Sequence, residues 1–138
     1  MTPTDTELLQ EAIRAQESSY APYSTFRVGA ALLLSDGRVV TGCNFENASY
    51  GLTMCAERCA IGRAVVETPG GRGIDQPGFR IEAVAIVGKR GEPCYPCGAC
   101  RQVLREFDCQ RVIVDDAGAP RSIPFAEILP YSFGPESL

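Results

Sequence analysis

Residues 96–107 read PCGACRQVLREF, and this stretch decides the fold because it predicts a helix inside an alternating pattern of elements. Cys97 opens the predicted helix. One apolar stripe at helical spacing follows, formed by Cys100, Val103, Leu104 and Phe107. An apolar strand is predicted before this helix, at residues 81–87, and a shorter strand after it, at residues 112–114. The carboxyl-terminal half of the chain therefore alternates strand, helix and strand.

The amino-terminal half begins with a helix and a strand pair. Thr4 and Glu7 form a capping-box pattern, and the apolar positions that follow predict a helix to about residue 19. Residues 26–34 predict a strand that is apolar on both faces. A hairpin turn leads from it into a second strand at residues 39–43, so the two strands pair antiparallel.

The remaining elements complete the architecture. A helix is predicted over residues 55–67, followed by a Pro/Gly-rich exposed loop at residues 68–78. A turn after residue 114 leads to a last strand at residues 119–122, and Pro124 is placed to start a short terminal helix. We therefore expect an α/β fold, a three-layer α/β/α sandwich with a mixed central sheet.

The length and composition narrow the class of protein. At 138 residues, with 45% hydrophobic and 22% charged residues, the chain is predicted to form one globular domain over residues 1–138. The 13 basic and 17 acidic residues give a net charge of −4, which disfavours nucleic acid as a partner. No apolar run is long enough to span a bilayer, and the polar first residues do not resemble a secretory signal. We therefore expect no membrane partner and a cytoplasmic location with reduced thiols.

Cysteines dominate the candidate chemistry, because the chain has seven of them and no histidine. Cys97 and Cys100 stand two residues apart in the first turn of a predicted helix, so both thiolates can reach one tetrahedral ion. Cys55 as a third ligand leaves the fourth position open for a water molecule that the metal acidifies. Proton transfer then falls to a carboxylate, and Glu57 is the candidate by position. The adjacent Arg58 is placed to offset the charge of three thiolates.

Three other interpretations of the cysteines stay open from the residues alone. The CxxC pair is also the spacing of redox dithiols. With Cys94 it matches the opening of an iron–sulfur run, although Leu104 stands where the bacterial pattern has its fourth cysteine. Cys59, four residues after Cys55, would close the zinc site as a fourth ligand and make the chain a non-catalytic zinc module. Glu57 favours the open site, since a structural site needs no carboxylate.

Two groups of residues carry a family resemblance. The pair of elements Cys55-Ala-Glu57 and Pro96-Cys97-Gly-Ala-Cys100 resembles the signature of zinc-dependent nucleoside and base deaminases. The stretches 23–31 (YSTFRVGAA), 42–48 (GCNFENA) and 100–103 (CRQV) are similar to those of the small homotetrameric cytidine deaminases. The resemblance covers most of the chain between residues 20 and 114 and implies a cytidine deaminase-like fold.

The resemblance implies how the chemistry would be divided. One zinc ion per subunit would be held by Cys55, Cys97 and Cys100, with Arg58 offsetting the charge of the three thiolates. A zinc-bound hydroxide would attack carbon 4 of the pyrimidine, while Glu57 protonates ring nitrogen 3 and then the departing amine.

The resemblance also implies substrate contacts. Within one subunit these are Phe26, Asn44, Glu46 and Ala56. Phe26 would pack against the base, Asn44 and Glu46 would hold the ribose hydroxyls, and the Ala56 backbone amide would face the 2-oxo group. Tyr50 and Phe133 would reach the pocket of a neighbouring subunit.

The implied activity is the hydrolytic deamination of cytidine and deoxycytidine to uridine and deoxyuridine plus ammonia, in pyrimidine salvage. The expected assembly is a homotetramer with active sites shared between subunits. A carboxylate at Glu46 would repel a 3′-phosphate, which again excludes polynucleotides. The alternative substrate is a cytosine-containing antibiotic of the blasticidin S type, although the intact stretch Asn44-Phe-Glu46-Asn47 favours cytidine.

Overall fold

The structure of the protein is a computed structural model that describes residues 2–68 and 80–138. Four helices occur in these residues: α1 (Asp5–Gln16), α2 (Ala56–Glu67), α3 (Gly98–Glu106) and α4 (Phe125–Ile128). Five strands occur with them: β1 (Gly29–Leu34), β2 (Val39–Cys43), β3 (Ile81–Val87), β4 (Arg111–Asp116) and β5 (Ala119–Pro124). Short 3-10 helices cover Tyr50–Leu52 and Pro135–Ser137.

The five strands form one mixed sheet in the order β2-β1-β3-β4-β5. Strand β1 pairs antiparallel with both β2 and β3, so the predicted hairpin is confirmed. Strands β3 and β4 run parallel and are joined through α3, and β5 returns antiparallel to β4. The parallel pair at the centre requires a crossover connection, and α3 is that connection.

Helices cover both faces of the sheet, as the alternation of β1 shows. Ala30, Leu32 and Leu34 point into an apolar cluster shared with α2 and α3. Ala31 and Leu33 point to the other face, into a cluster shared with α1. A strand buried on both faces reads as a continuous apolar run. The three-layer α/β/α sandwich is therefore confirmed.

Two glycines let the helices approach the sheet closely. A Cβ at Gly29 would lie 1.9 Å from the Ala12 carbonyl oxygen of α1. A Cβ at Gly42 would lie 2.5 Å from the Ala60 amide nitrogen of α2. Larger residues would push each helix off its face of the sheet. These contacts fix α2, and with it Cys55 at its amino terminus, against the end of β2.

The helix predictions agree with the structure except at one end. Thr4 caps α1 through the predicted capping box with Glu7. The helix ends at Gln16 and not near residue 19, because the next amides bond three residues back, as in Ser19 to Gln16, and tighten the chain into a turn. Within the described ranges 2–68 and 80–138, no helix is both long and apolar enough to cross a membrane.

The first strand begins later than predicted, at Gly29 instead of residue 26. The preceding residues form a loop in which Thr25 has a positive φ of 60°, and side chains from beyond β2 occupy their backbone groups. An apolar pattern cannot reveal this competition for hydrogen bonds. The predicted loop at residues 68–78 lies outside the described residues apart from Thr68, which is buried beneath Arg38.

Candidate active site

Three thiols from two helices meet at one point. Cys55 is the N-cap residue of α2, Cys97 is the N-cap residue of α3, and Cys100 lies in the first turn of α3. Their Sγ atoms all lie within 4.8 Å of one another, and those of Cys55 and Cys97 are 3.8 Å apart. In the described part of the chain, these three form the cluster of ligand atoms that could hold a metal ion.

The amino termini of two helices face the group of three thiols. The Sγ of Cys97 accepts a hydrogen bond from the Cys100 amide at 3.5 Å, as an N-cap side chain does. The partial positive charge at the start of α2 and α3 stabilises negative sulfur. This local geometry follows from the CxxC spacing at a helix start, and it is the geometry expected from the sequence.

Arg58 adds a positive charge to the same group. Its Nη2 donates to the Sγ of Cys55 at 3.2 Å. Hydrogen bonding with Cys100, and then with Arg58, lowers the pKa of the Cys55 thiol to about 5 although the side chain is partly buried. The hydrogen bond with Cys55 raises the pKa of the Cys100 thiol. The Nε of Arg58 is buried and has no hydrogen-bond partner among the described residues. A compact group of thiols beside a half-buried guanidinium fits a divalent cation.

Glu57 projects into the cavity next to the thiols and is only 4% exposed. Burial is the main cause that raises the pKa of its carboxyl to about 7, and the negative charge of Cys55 adds to the rise. A carboxyl that titrates near neutral pH can both accept and donate a proton. The Ala56 amide stands at the first position of α2, where the helix itself supplies no acceptor.

The cavity beside the thiols has a volume of about 200 Å³. Its lining includes Phe26, Asn44, Ala56, Glu57 and two of the three thiols, together with Val28, Thr53, Met54, Cys94 and Tyr95. Two surface grooves of about 560 and 650 Å³ are larger, but neither is lined by any of the three thiols. A small cavity with one buried carboxyl and few polar groups is typical of a small-molecule site.

Asn44 and Glu46 are both buried, and their side chains hold the loop that precedes β1. The Asn44 amide donates to the Phe26 carbonyl at 2.9 Å, and its oxygen accepts from the Val28 amide at 2.9 Å and from the Ser19 hydroxyl. Asn44 lines the cavity, so the structure brings it together with Glu57 and Phe26.

The Glu46 carboxylate contacts the loop further from the cavity. It accepts from the Tyr23 amide at 2.9 Å, from the Ser24 amide at 3.1 Å and from the Ser24 hydroxyl. These hydrogen bonds, that of the Ser24 hydroxyl first, lower the pKa of Glu46 below its usual value of 4.5. Glu46 is not among the lining residues of the cavity, unlike Asn44.

Tyr50 and Phe133 do not reach the cavity of their own chain. Tyr50 is 67% exposed and packs edge-on against Tyr23, with ring centroids 5.9 Å apart. Phe133 is 59% exposed, and its carbonyl accepts from Gln102 at 2.9 Å. Neither residue lines the cavity.

The other cysteines lie outside the cluster of three thiols. Cys59 does not belong to the group of ligand atoms found in the described residues. Cys109 is buried in the apolar core, where it packs as a small apolar side chain. Cys94 packs against that core and also lines the cavity, a position that no spacing rule indicates. The side chain of Arg101, next to Cys100, binds the backbone carbonyls of Pro96 and Ile128, and no sequence pattern indicates these bonds.

Comparison with known proteins now decides the family. The model of the cytidine and deoxycytidylate deaminase zinc-binding region matches residues 2–115. The chain belongs to the cytidine and deoxycytidylate deaminase family. It is therefore a zinc-dependent deaminase, and zinc is the metal that the Cys55, Cys97 and Cys100 thiols are positioned to hold.

Relatives within this deaminase family match nearly the whole chain. A cytidine deaminase of Mycobacterium tuberculosis is 45% identical over 139 residues, covering 100% of this chain and 96% of its own. A cytidine deaminase of Halalkalibacterium halodurans is 45% identical over 135 residues, covering 95% of each chain. The crystal structure of cytidine deaminase from Burkholderia pseudomallei, 42% identical, matches with a TM-score of 0.82 and covers 95% of this chain and 100% of that one. These matches agree with the expected cytidine deaminase-like fold.

Proposed function

We propose that this deaminase hydrolyses cytidine and deoxycytidine to uridine and deoxyuridine, with release of ammonia. The observation that carries the proposal is the buried Glu57 carboxyl at the cavity, beside the three clustered thiols. Relatives that match over 95% or more of this chain are named cytidine deaminases, which supports the choice of substrate. Zinc, when bound, would supply a Lewis acid that acidifies a water molecule next to the substrate.

Glu57 would carry the protons. Water gives up two protons as its oxygen bonds to carbon 4 of the pyrimidine. Glu57 accepts the first at its carboxylate and delivers it to ring nitrogen 3. It then moves the second to the amine, so that the carbon–nitrogen bond breaks and ammonia leaves. The rise of the Glu57 pKa to about 7 supports this role, since both protonation states are accessible at neutral pH.

The cavity walls would orient the nucleoside. Phe26 would pack against the base, and the Ala56 amide, free at the start of α2, would donate to the 2-oxo group. Asn44 would contact the ribose. Glu46 would accept from the 3′-hydroxyl while retaining its bonds to the Ser24 and Tyr23 amides, since a carboxylate has about four lone-pair sites. Arg58 would offset the charge of the thiolates.

Completion of the site would require other subunits. We propose a homotetramer in which Tyr50 and Phe133 reach the pockets of neighbouring subunits. Their exposure of 67% and 59%, away from the cavity of their own chain, supports this placement. The single catalytic domain is proposed to span residues 1–138. We also propose a place in pyrimidine salvage. We further propose a cytoplasmic location, and the seven free cysteines support this location.

The test is the loss of cytidine absorbance when purified zinc-loaded protein is added, with cytidine monophosphate and blasticidin S assayed in parallel. We expect turnover of cytidine and deoxycytidine alone. Preference for blasticidin S would move the substrate to the antibiotic class. Inactivity toward every one of these compounds, with zinc bound, would contradict the proposal. Light scattering that finds an active monomer would contradict the homotetramer.

A further inference from the structure

We propose that Arg101 is a positioning residue that fixes the Cys97 ligand by binding the carbonyl of the residue immediately before it. The Arg101 side chain donates from Nε to the Pro96 carbonyl at 2.7 Å. Its backbone amide donates to the Cys97 carbonyl at 2.9 Å. That backbone bond is the ordinary helical one and would form with any residue at position 101, so only the bond to Pro96 depends on the arginine side chain.

The Pro96 carbonyl has a particular need for this bond. Pro96 is fully buried, and it lies immediately before Cys97, the N-cap residue of α3, outside the hydrogen-bond ladder of the helix. A buried carbonyl without a partner is unfavourable, so the bond from Arg101 keeps the peptide plane between Pro96 and Cys97 in place. That plane sets the direction in which the Cys97 side chain leaves the backbone. Cys97 itself is exposed and is not held by packing.

Arg101 also ties this peptide to a distant element. Its Nη1 donates to the Ile128 carbonyl at 2.6 Å, at the end of α4. Ile128 is buried in the apolar core, so this anchor is rigid. The half-buried guanidinium thus bridges the loop before Cys97 and the core beneath α4.

The arrangement requires arginine. Nε and Nη1 of one planar guanidinium point to two carbonyls in a fixed geometry, whereas the single ammonium of lysine on a flexible stem reproduces neither direction. Residues that orient metal ligands typically change metal affinity or activity by about 10- to 100-fold when they are substituted. We therefore assign Arg101 to the retention of zinc and not to contact with the nucleoside. The inference rests on the proposed ligation of zinc by Cys97.

Arg105 offers a matched control one helical turn away. It has the same side chain on the same helix and binds the same carboxyl-terminal segment, through Ser132 at 2.8 Å and through Glu136. Among the described residues it makes no hydrogen bond to Pro96, and its guanidinium lies against Gly134. Loss of Arg105 therefore weakens the docking of the tail without removing a bond from the ligand loop.

The experiment measures zinc release from the zinc-loaded protein to a chromophoric chelator, for Arg101→Met, Arg101→Lys and Arg105→Met. We expect release about 10- to 100-fold faster in both Arg101 variants and within about 3-fold of wild type in Arg105→Met. Cobalt-substituted protein gives a second measurement. Its ligand-field bands report the geometry of the thiolates and should change in the Arg101 variants only. Circular dichroism checks that each variant is folded.

Each outcome decides the matter. Unchanged release and unchanged cobalt bands in the folded Arg101 variants would overturn the proposal, as would equal effects of Arg105→Met. If Arg101→Met does not fold, Arg101→Lys, which keeps the stem and the charge, provides the comparison. If neither folds while Arg105→Met does, Arg101 acts in folding and the proposal is wrong. Cys97→Ser is measured in parallel. If this variant retains zinc, the proposed ligation by Cys97 is wrong. If it loses zinc while the Arg101 variants keep theirs, only the role of Arg101 is rejected.

Discussion

Two parts of the candidate site, the thiol wall and the loop wall, are assembled over different ranges of sequence. The thiol wall consists of Cys55, Ala56, Glu57, Cys97 and Cys100, all within one turn of the start of α2 or α3. The loop wall consists of residues 20–28 together with Asn44 and Glu46, whose side chains bind backbone groups 16 to 23 residues away in sequence. One wall is built from helix starts, and the other from side chains that take the place of strand pairing. Substitutions in the thiol wall should therefore change zinc retention and turnover. Substitutions in the loop wall should instead lower the free energy of unfolding.

The largest effect is expected from Cys100→Ser, which removes a buried ligand of the thiol wall. Zinc retention should fall by more than about 100-fold and turnover should be lost, because an alcohol is a much poorer zinc ligand than a thiolate. Metal content after dialysis and cytidine turnover measure the two effects. Cys59→Ser is the control on α2, and it should keep its zinc. Loss of zinc in Cys59→Ser would instead support the closed four-cysteine site.

The next largest effect is expected from Glu57→Ala, which removes the carboxyl and leaves the thiols. Turnover of cytidine should fall on the order of 100-fold or more, the usual contribution of a positioned proton carrier. Zinc content should stay at one ion per subunit. Glu106→Ala removes an exposed carboxylate from α3 and serves as the control. Near-normal turnover in zinc-loaded Glu57→Ala would remove Glu57 from the mechanism.

The thiol wall is the part of the site that the sequence predicts well, and the reason is physical. A helix start exposes amides that are free of partners, so cysteines at Ncap and N3 converge whatever the rest of the chain does. The spacing of Cys97 and Cys100 carries this information within four residues. Only the meeting of α2 with α3 is long-range, and the alternating pattern of strands and helices implies it.

The loop wall is where prediction from sequence fails. Residues 26–28 have the apolar pattern of a strand, yet Asn44 and Glu46 occupy backbone groups of residues 23–28. The resemblance predicts that Asn44 and Glu46 contact the substrate, whereas the bonds by which their side chains hold the loop are visible only in the structure. Arg101 was missed for the same reason, because it binds the carbonyls of residues remote from it in sequence or outside its helix.

Asn44→Ala tests whether the loop wall depends on such bonds. It removes the acceptor of the Val28 amide and the donor to the Phe26 carbonyl, both partly buried. The free energy of unfolding should fall by about 2–4 kcal/mol, since groups left without partners cost about 1–3 kcal/mol each. Urea unfolding measures this, and zinc content should be unchanged. The matched control is Asn47→Ala, which loses one exposed bond to the Ser49 amide and should cost well under half as much. Equal losses would mean that the loop wall is not held by Asn44.

The smallest effect, and the one that depends on pH, is expected from Glu46→Gln. The Ser24 hydroxyl and the Ser24 and Tyr23 amides bind the ionised carboxylate and lower its pKa below 4.5 in the folded state. A carboxyl with a lowered folded pKa adds stability above its unfolded pKa and loses it as the pH falls through the folded pKa. The melting temperature of the wild type should therefore exceed that of Glu46→Gln at pH 7, and the difference should shrink below about pH 4.5. Thermal unfolding between pH 3 and pH 7 measures this, with Glu106→Gln as the exposed control. If the difference in melting temperature between the wild type and Glu46→Gln stays constant across this range, the charge of Glu46 does not hold the loop. The loop wall would then depend less on its hydrogen bonds than its contrast with the thiol wall implies.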